Sequence, residues 1–236
     1  MTEVRFAGVT WHTPILVVSP HLDDAVLSAG NLLDTAPDCS VVTVFAGNPG
    51  VWSRLTDWDG ACGFELGDDV VGSRRAENDA ALSLIGCSSI DLDFLDQQYA
   101  ESTRPDVHAI ADAITEQAQL TGATTLVWPL GLVHDDHERV AAAMPLVNAS
   151  LPDVEVFAFG DLPYLYTETG RRRIDSVFEQ LDRAGIRVQI IPGSAASPGK
   201  RAGIDLYVSQ KRGLQSQAKL ALRQERYWRL VSVQRP

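Results

Sequence analysis

Two short segments hold most of the residues that could do chemistry together: His21-Leu22-Asp23-Asp24 and His134-Asp135-Asp136-His137. Imidazole and carboxylate are the ligand types a borderline divalent cation such as zinc takes, and a catalytic zinc needs three protein ligands with a fourth position left open. One His–Asp pair from the first segment and one His from the second would satisfy that count. A further carboxylate would remain to act as a base. The chain has five histidines, and three of them stand in these two segments. A helix-capping reading exists for each segment, since Asp23, Asp24 or the second cluster could serve a helix N-terminus. Two such clusters, each directly after an apolar run, make a shared site the stronger reading.

Those apolar runs are the elements that must position the side chains. Residues 15–19 (ILVVS), 40–45, 90–95, 124–128, 154–159 and 186–191 read as strands, mostly β-branched and almost continuously hydrophobic. That pattern suits strands covered on both faces. Helical stretches alternate with them over 24–33, 73–85, 105–119, 137–147 and 175–184. The alternation predicts an α/β, Rossmann-like layered fold with a mostly parallel sheet and a small C-terminal appended element. Ligands in such sheets bind at the carboxyl ends of the strands, where both segments lie. Residues 1–236 read as one domain, with 193–236 a basic C-terminal element packed on it; residues 196–236 carry nine Lys or Arg against two Asp or Glu. A segment at 47–72, rich in Gly and Asp and holding Trp52 and Trp58, is too long for a minimal crossover and is expected to shape a substrate entrance.

Composition removes several function classes. The net charge of −11 is wrong for nucleic acid as the main partner. No apolar run approaches the roughly 18 residues of a membrane helix. Neither GxxxxGK[ST] nor GxGxxG follows a strand, so a nucleotide-binding reading lacks its glycines. Cys39, Cys62 and Cys87 are odd in number without CxxC spacing, and are read as reduced structural thiols of a cytoplasmic protein.

The two segments resemble the signature of the PIG-L/LmbE-like family of N-deacetylases, a His-Pro-Asp-Asp stretch after the first strand and a later His-x-Asp-His. Residues 73–81 (SRRAENDAA), 92–99 (LDFLDQQY), 161–164 (DLPY) and 207–210 (YVSQ) are similar to further family segments, so the likeness spans 16–210. The resemblance implies a zinc-dependent enzyme, with Fe2+ the alternative cation. It implies His21, Asp24 and His137 as metal ligands, Asp23 as general base and His134 as polarising or proton-donating group. Arg74 and Asp96 become substrate contacts, and Asp136 a carboxylate orienting a histidine. Leu22 replaces the usual Pro, and Leu132 stands where some members have a Tyr near the oxyanion. Tyr99, Tyr164 and Tyr166 are substitutes between which the sequence does not choose. The expected activity is removal of an N-acyl, typically N-acetyl, group from a small amino-sugar-like substrate, or within hydrolases an amidase of a thiol conjugate. The rivals are a non-haem Fe(II) oxygenase, which shares a two-His, one-carboxylate triad, and an inactive metal-binding relic.

Overall fold

The computed structural model describes residues 2–50, 54–100 and 104–232. The chain opens with a hairpin, β1 (Thr2–Phe6) and β2 (Val9–Thr13), closed by Ala7 and Gly8, both at positive φ (51° and 77°). That pair of left-handed residues is the turn whose twist matches a two-residue hairpin. The sequence reading did not include this element.

A seven-stranded sheet follows, in the order β5-β4-β3-β6-β7-β9-β8. Its strands are β3 (Ile15–Ser19), β4 (Cys39–Thr43), β5 (Ser88–Asp91), β6 (Thr125–Pro129), β7 (Glu155–Phe159), β8 (Ile186–Ser194) and β9 (Glu225–Ser232). Pairing is parallel from β5 through β7; β9 runs antiparallel to both β7 and β8. The sheet is therefore mostly parallel, as the apolar runs predicted. Strand β9 went unread in the sequence, because Glu225, Arg226 and Arg229 interrupt Tyr227, Trp228 and Leu230 without a clean alternation, inside a basic segment.

Helices cover both faces: α1 (Asp24–Thr35), α2 (Asp57–Cys62), α3 (Val70–Ile85), α4 (Val107–Leu120), α5 (Asp135–Ser150), α6 (Glu168–Arg183), α7 (Pro198–Leu206) and α8 (Val208–Leu214). Successive β3 side chains point to opposite faces and each is buried in its own core. Ile15 and Val17 join Trp11, Leu32 and Phe157, whereas Leu16 and Val18 join Ile110, Val140 and Met144. Double-sided burial is why the run ILVVS has no polar alternation.

One expectation is overturned. Cys39 and Cys87 form a disulfide, with Cα atoms 5.1 Å apart, and only Cys62 is free, a buried thiol. Cys39 begins β4 and Cys87 immediately precedes β5; these strands are parallel neighbours, so their starts come side by side. A separation of 48 residues gives no local spacing signal, and the pairing follows only from the sheet order.

The crossover from β3 through α1 to β4 leaves on one side of β3, while β6 lies on the other. The crevice between the carboxyl ends of β3 and β6 is thus a topological switch point, where open α/β sheets bind ligands.

Candidate active site

Both sequence segments meet at that crevice. The first turns directly from β3 into α1. Ser19 Oγ accepts from the Ala25 N–H (3.0 Å) and donates to the His21 carbonyl (2.6 Å), and Asp24 Oδ2 accepts from the His21 N–H (2.9 Å). Asp23 occupies the N-cap position of α1 but makes no side-chain capping bond. Capping therefore does not account for its carboxylate, which is nine-tenths buried at the wall of the cavity.

The second segment follows β6 through a tight turn. Gly131 lies at φ +79°, and a Cβ there would meet the Ala141 Cβ at 2.6 Å. Val133 lies at φ +66°, an outlier for a β-branched residue that stores strain of roughly 1–3 kcal/mol beside the site. His134 then caps α5: its Nδ1 accepts from the Asp136 N–H at 3.2 Å. The ring proton of neutral His134 is thereby placed on Nε2.

His21 Nδ1 and His137 Nε2 converge on one oxygen, Asp24 Oδ2, at 3.2 and 3.1 Å. The far nitrogen of each ring is held by a second carboxylate: His21 Nε2 faces Asp136 Oδ2 at 3.2 Å, and His137 Nδ1 faces Asp161 Oδ1 at 2.7 Å. Burial disfavours charge on His137, yet Asp24 and Asp161 push it up to about 9; His21 is likewise raised against burial by Asp136 and Asp24. Burial also opposes ionisation of Asp24, but His137 and His21 hold it well below the usual carboxylate range. Two imidazole nitrogens thus flank one carboxylate oxygen, and the surrounding carboxylates favour positive charge there. This donor set fits a divalent cation. Among the described residues, the donor groups whose atoms all lie within 4.8 Å of one another are His21, His134 and His137, and His21, Asp96 and Asp136; Asp24 joins through its contacts with His21 and His137.

Burial and the neighbouring Asp24 charge push the Asp23 carboxyl up to about 7. Burial, reinforced by the His21 and His137 rings, pushes His134 down to about 4. His134 is therefore a neutral donor through Nε2 rather than an imidazolium.

Of the residues expected to touch substrate, Asp96 borders the cavity 4.0 Å from His21 Nε2, and it also accepts from the Gln98 N–H (3.0 Å) and side-chain amide (2.8 Å). Arg74 borders the cavity too, but its Nη2 is committed to Asp59 Oδ1 (2.8 Å), and that carboxylate also accepts from Tyr99 OH (2.9 Å). Leu132 is fully buried among Leu130, Leu162 and Trp228. Among the three tyrosines offered as substitutes, Tyr99 donates to Asp59 and Tyr166 donates to the Gln224 carbonyl (2.6 Å). Tyr164 lines the cavity edge-on to His137, ring centroids 5.4 Å apart.

Asp161 carries a role the sequence reading missed. Fully buried at the end of β7, it accepts from the Gly131 and Leu132 N–H groups (3.1 and 3.3 Å) as well as orienting His137. Its sequence signals were a carboxylate just past the buried run of β7 and its place at the head of the DLPY segment, neither of which named its partner. The cavity itself encloses about 460 Å³, and the 47–72 segment contributes Gly47, Arg54, Trp58 and Val71 to its wall. Trp52 lies outside the described residues. No described helix is long and apolar enough to cross a membrane.

Comparison with known proteins identifies the family and the fold. The profile of the PIG-L family, described as GlcNAc-PI de-N-acetylase, matches residues 16–147, which include both segments. No curated protein sequence matches the chain. Among solved structures, a triple mutant of a deacetylase involved in the teicoplanin biosynthetic pathway is 26% identical with a TM-score of 0.74, covering 95% of this chain and all of its own. Two others share the fold at lower identity. The zinc-inhibited form of teicoplanin deacetylase is 23% identical (TM-score 0.72, 94% of this chain and 99% of that one). N,N'-diacetylchitobiose deacetylase from Pyrococcus horikoshii is 15% identical (TM-score 0.54, 92% and 83%).

Proposed function

This chain belongs to the GlcNAc-PI de-N-acetylase (PIG-L) family, and on that premise we propose that it is a divalent-metal-dependent, zinc-type hydrolase that removes an N-acyl group from a small amino-sugar-like substrate. The observation that carries the reading is Asp23: a buried carboxylate that caps no helix, stands beside three convergent donors and is surplus to them.

His21, Asp24 and His137 would hold the cation. When bound there, it supplies Lewis acidity to an amide carbonyl and lowers the pKa of water at that position toward ~7. The rest falls to the chain's own groups. Asp136 and Asp161 fix the two ligand rings from behind. Asp23 takes the proton of the attacking water; a carboxyl pushed up to about 7 is matched to that transfer near neutral pH. His134 directs its Nε2–H at the oxygen on which negative charge develops, a donor already oriented by its capping bond to Asp136 N–H. Asp23 then returns its proton to the departing amine. Phe45 packs beside His21, ring centroids 5.8 Å apart, and helps exclude water from that ring.

The test is acetate release from a panel of N-acetylated amino sugars by metal-loaded protein, run with and without oxygen. Turnover in both atmospheres is expected. Turnover that requires oxygen, or metal-loaded protein inert toward every N-acyl compound, would overturn the reading.

A further inference from the structure

The chemistry above leaves one wall of the cavity without a task. It is formed by α8, which presents Gln210 and Leu214, four residues apart and so on one helix face, together with Trp58 of α2 and Val71 and Arg74 of α3. Gln210 is only 5% exposed and borders the cavity, and among the described residues its side-chain amide has no hydrogen-bond partner while not being sealed from the cavity. An amide that reaches the cavity without a protein partner keeps both its donor and its acceptor for a ligand there.

The helix carrying Gln210 is fixed on both sides. Tyr207 OH donates to Asn78 Oδ1 (2.8 Å), while the Ser209 N–H and hydroxyl donate to the two Glu77 oxygens (2.8 and 2.7 Å), tying the start of α8 to α3. Further along, Gly213 lies so close to α2 that a Cβ would stand 2.7 Å from Cys62 Sγ and 2.9 Å from the Trp58 ring. The amide therefore projects from a rigid origin, as a specificity group requires.

The surrounding chemistry narrows the ligand. An amide offers a donor and an acceptor, the match for a hydroxyl, which is also both. The Arg74 charge on this wall is already neutralised by Asp59 at 2.8 Å. Trp58 and Leu214 beside it offer apolar faces. One unpaired amide between apolar surfaces suits a pyranose ring, with C–H faces to cover and hydroxyls to bond.

We propose that Gln210 is a specificity-determining substrate contact, its side-chain amide bonding a ring hydroxyl of the sugar whose N-acyl group reacts at His21, Asp24 and His137, while Trp58 and Leu214 cover the ring. The proposal rests on the N-deacylase reading above. It assigns a binding contact and leaves the proton transfers to Asp23 and His134.

The experiment compares metal-loaded wild type, Gln210→Leu and Gln210→Glu on methyl N-acetylglucosaminide and its 3-, 4- and 6-deoxy analogues. Acetate release gives kcat/KM, and calorimetry gives Kd for the corresponding amine products. Gln210→Leu is expected to lose roughly 10- to 100-fold in kcat/KM on the parent sugar and almost nothing on one particular deoxy analogue, which wild type itself handles poorly. Gln210→Glu, which keeps an acceptor, falls between. An equal loss on all four sugars would mark a structural residue, and no loss would remove the contact; either overturns the proposal. Wild type that binds the amines with a Kd sensitive to both Gln210 and one hydroxyl, yet releases no acetate, would leave Gln210 standing and sink the deacylase reading. Wild type that binds none of these sugars would overturn the Gln210 assignment itself.

Discussion

Replacing Asp161 by Asn changes one oxygen to nitrogen at a site with no solvent access. In the native protein one carboxylate oxygen accepts from the Gly131 and Leu132 N–H groups at 3.1 and 3.3 Å, while the other faces His137 Nδ1 at 2.7 Å. The two backbone donors require an oxygen, so the Asn carbonyl must take their place and its NH2 must face the imidazole. His137 Nδ1 then has to accept, which moves the ring proton to Nε2, the nitrogen 3.1 Å from Asp24. A protonated Nε2 cannot ligate. Losing such an orienting carboxylate typically weakens metal binding by about 10–100-fold, which is roughly 1.4–2.7 kcal/mol. Two measurements read this: a chelator competition for the metal Kd, and the shift in unfolding free energy on adding saturating metal, which shrinks by the same amount. Asp161→Asn protein with wild-type metal affinity would refute the tautomer argument and the role given to Asp161.

Four further outcomes are expected. Asp23→Asn should keep the metal, by elemental analysis, and lose about 10²–10⁴-fold in kcat; near-normal turnover of loaded protein would rule Asp23 out as the base. His134→Ala should lower kcat by about 10²–10³-fold at unchanged metal affinity, and should cost roughly 1 kcal/mol of stability through the lost cap on α5; loss of metal would instead make His134 a ligand. Glu225→Ala should destabilise by about 3–5 kcal/mol in denaturant titration, because it strands fully buried Lys200 (2.7 Å away) and frees the Asn31 N–H and Tyr227 OH; a loss below about 1 kcal/mol would contradict a buried pair there. Reducing Cys39–Cys87, which spans 48 residues, should cost up to about 4 kcal/mol through the freed unfolded chain; identical melting of oxidised and reduced protein would argue that the bond does not form in solution.

Much of this protein is written locally. The runs around Ile15–Ser19 and Thr125–Pro129 are buried on both faces, so their hydrophobicity needs no partner to be recognised as parallel strand. His21 to Asp24 and His134 to His137 follow those strands within a few residues, so chain order alone delivers both clusters to the carboxyl edge of the sheet. That is why a shared site could be read without a fold. What the tertiary structure decided involves partners far apart in sequence, where no periodicity helps. Asp161 reaches His137 across 24 residues, Cys39 reaches Cys87 across 48, and Glu225 reaches the Asn31 N–H across 194. The ion pair of Arg74 was likewise set by the fold, which brought Asp59 to its Nη2 and left its Nε without a partner among the described residues at the cavity wall. The choice among three tyrosines also waited on the fold, because a hydroxyl's availability depends on whether a distant carboxylate or carbonyl has already claimed it. Gln210 is the converse case: in the sequence it is the end of the YVSQ segment with no role attached, and it gains one only because the fold places it in the cavity wall without a protein partner among the described residues.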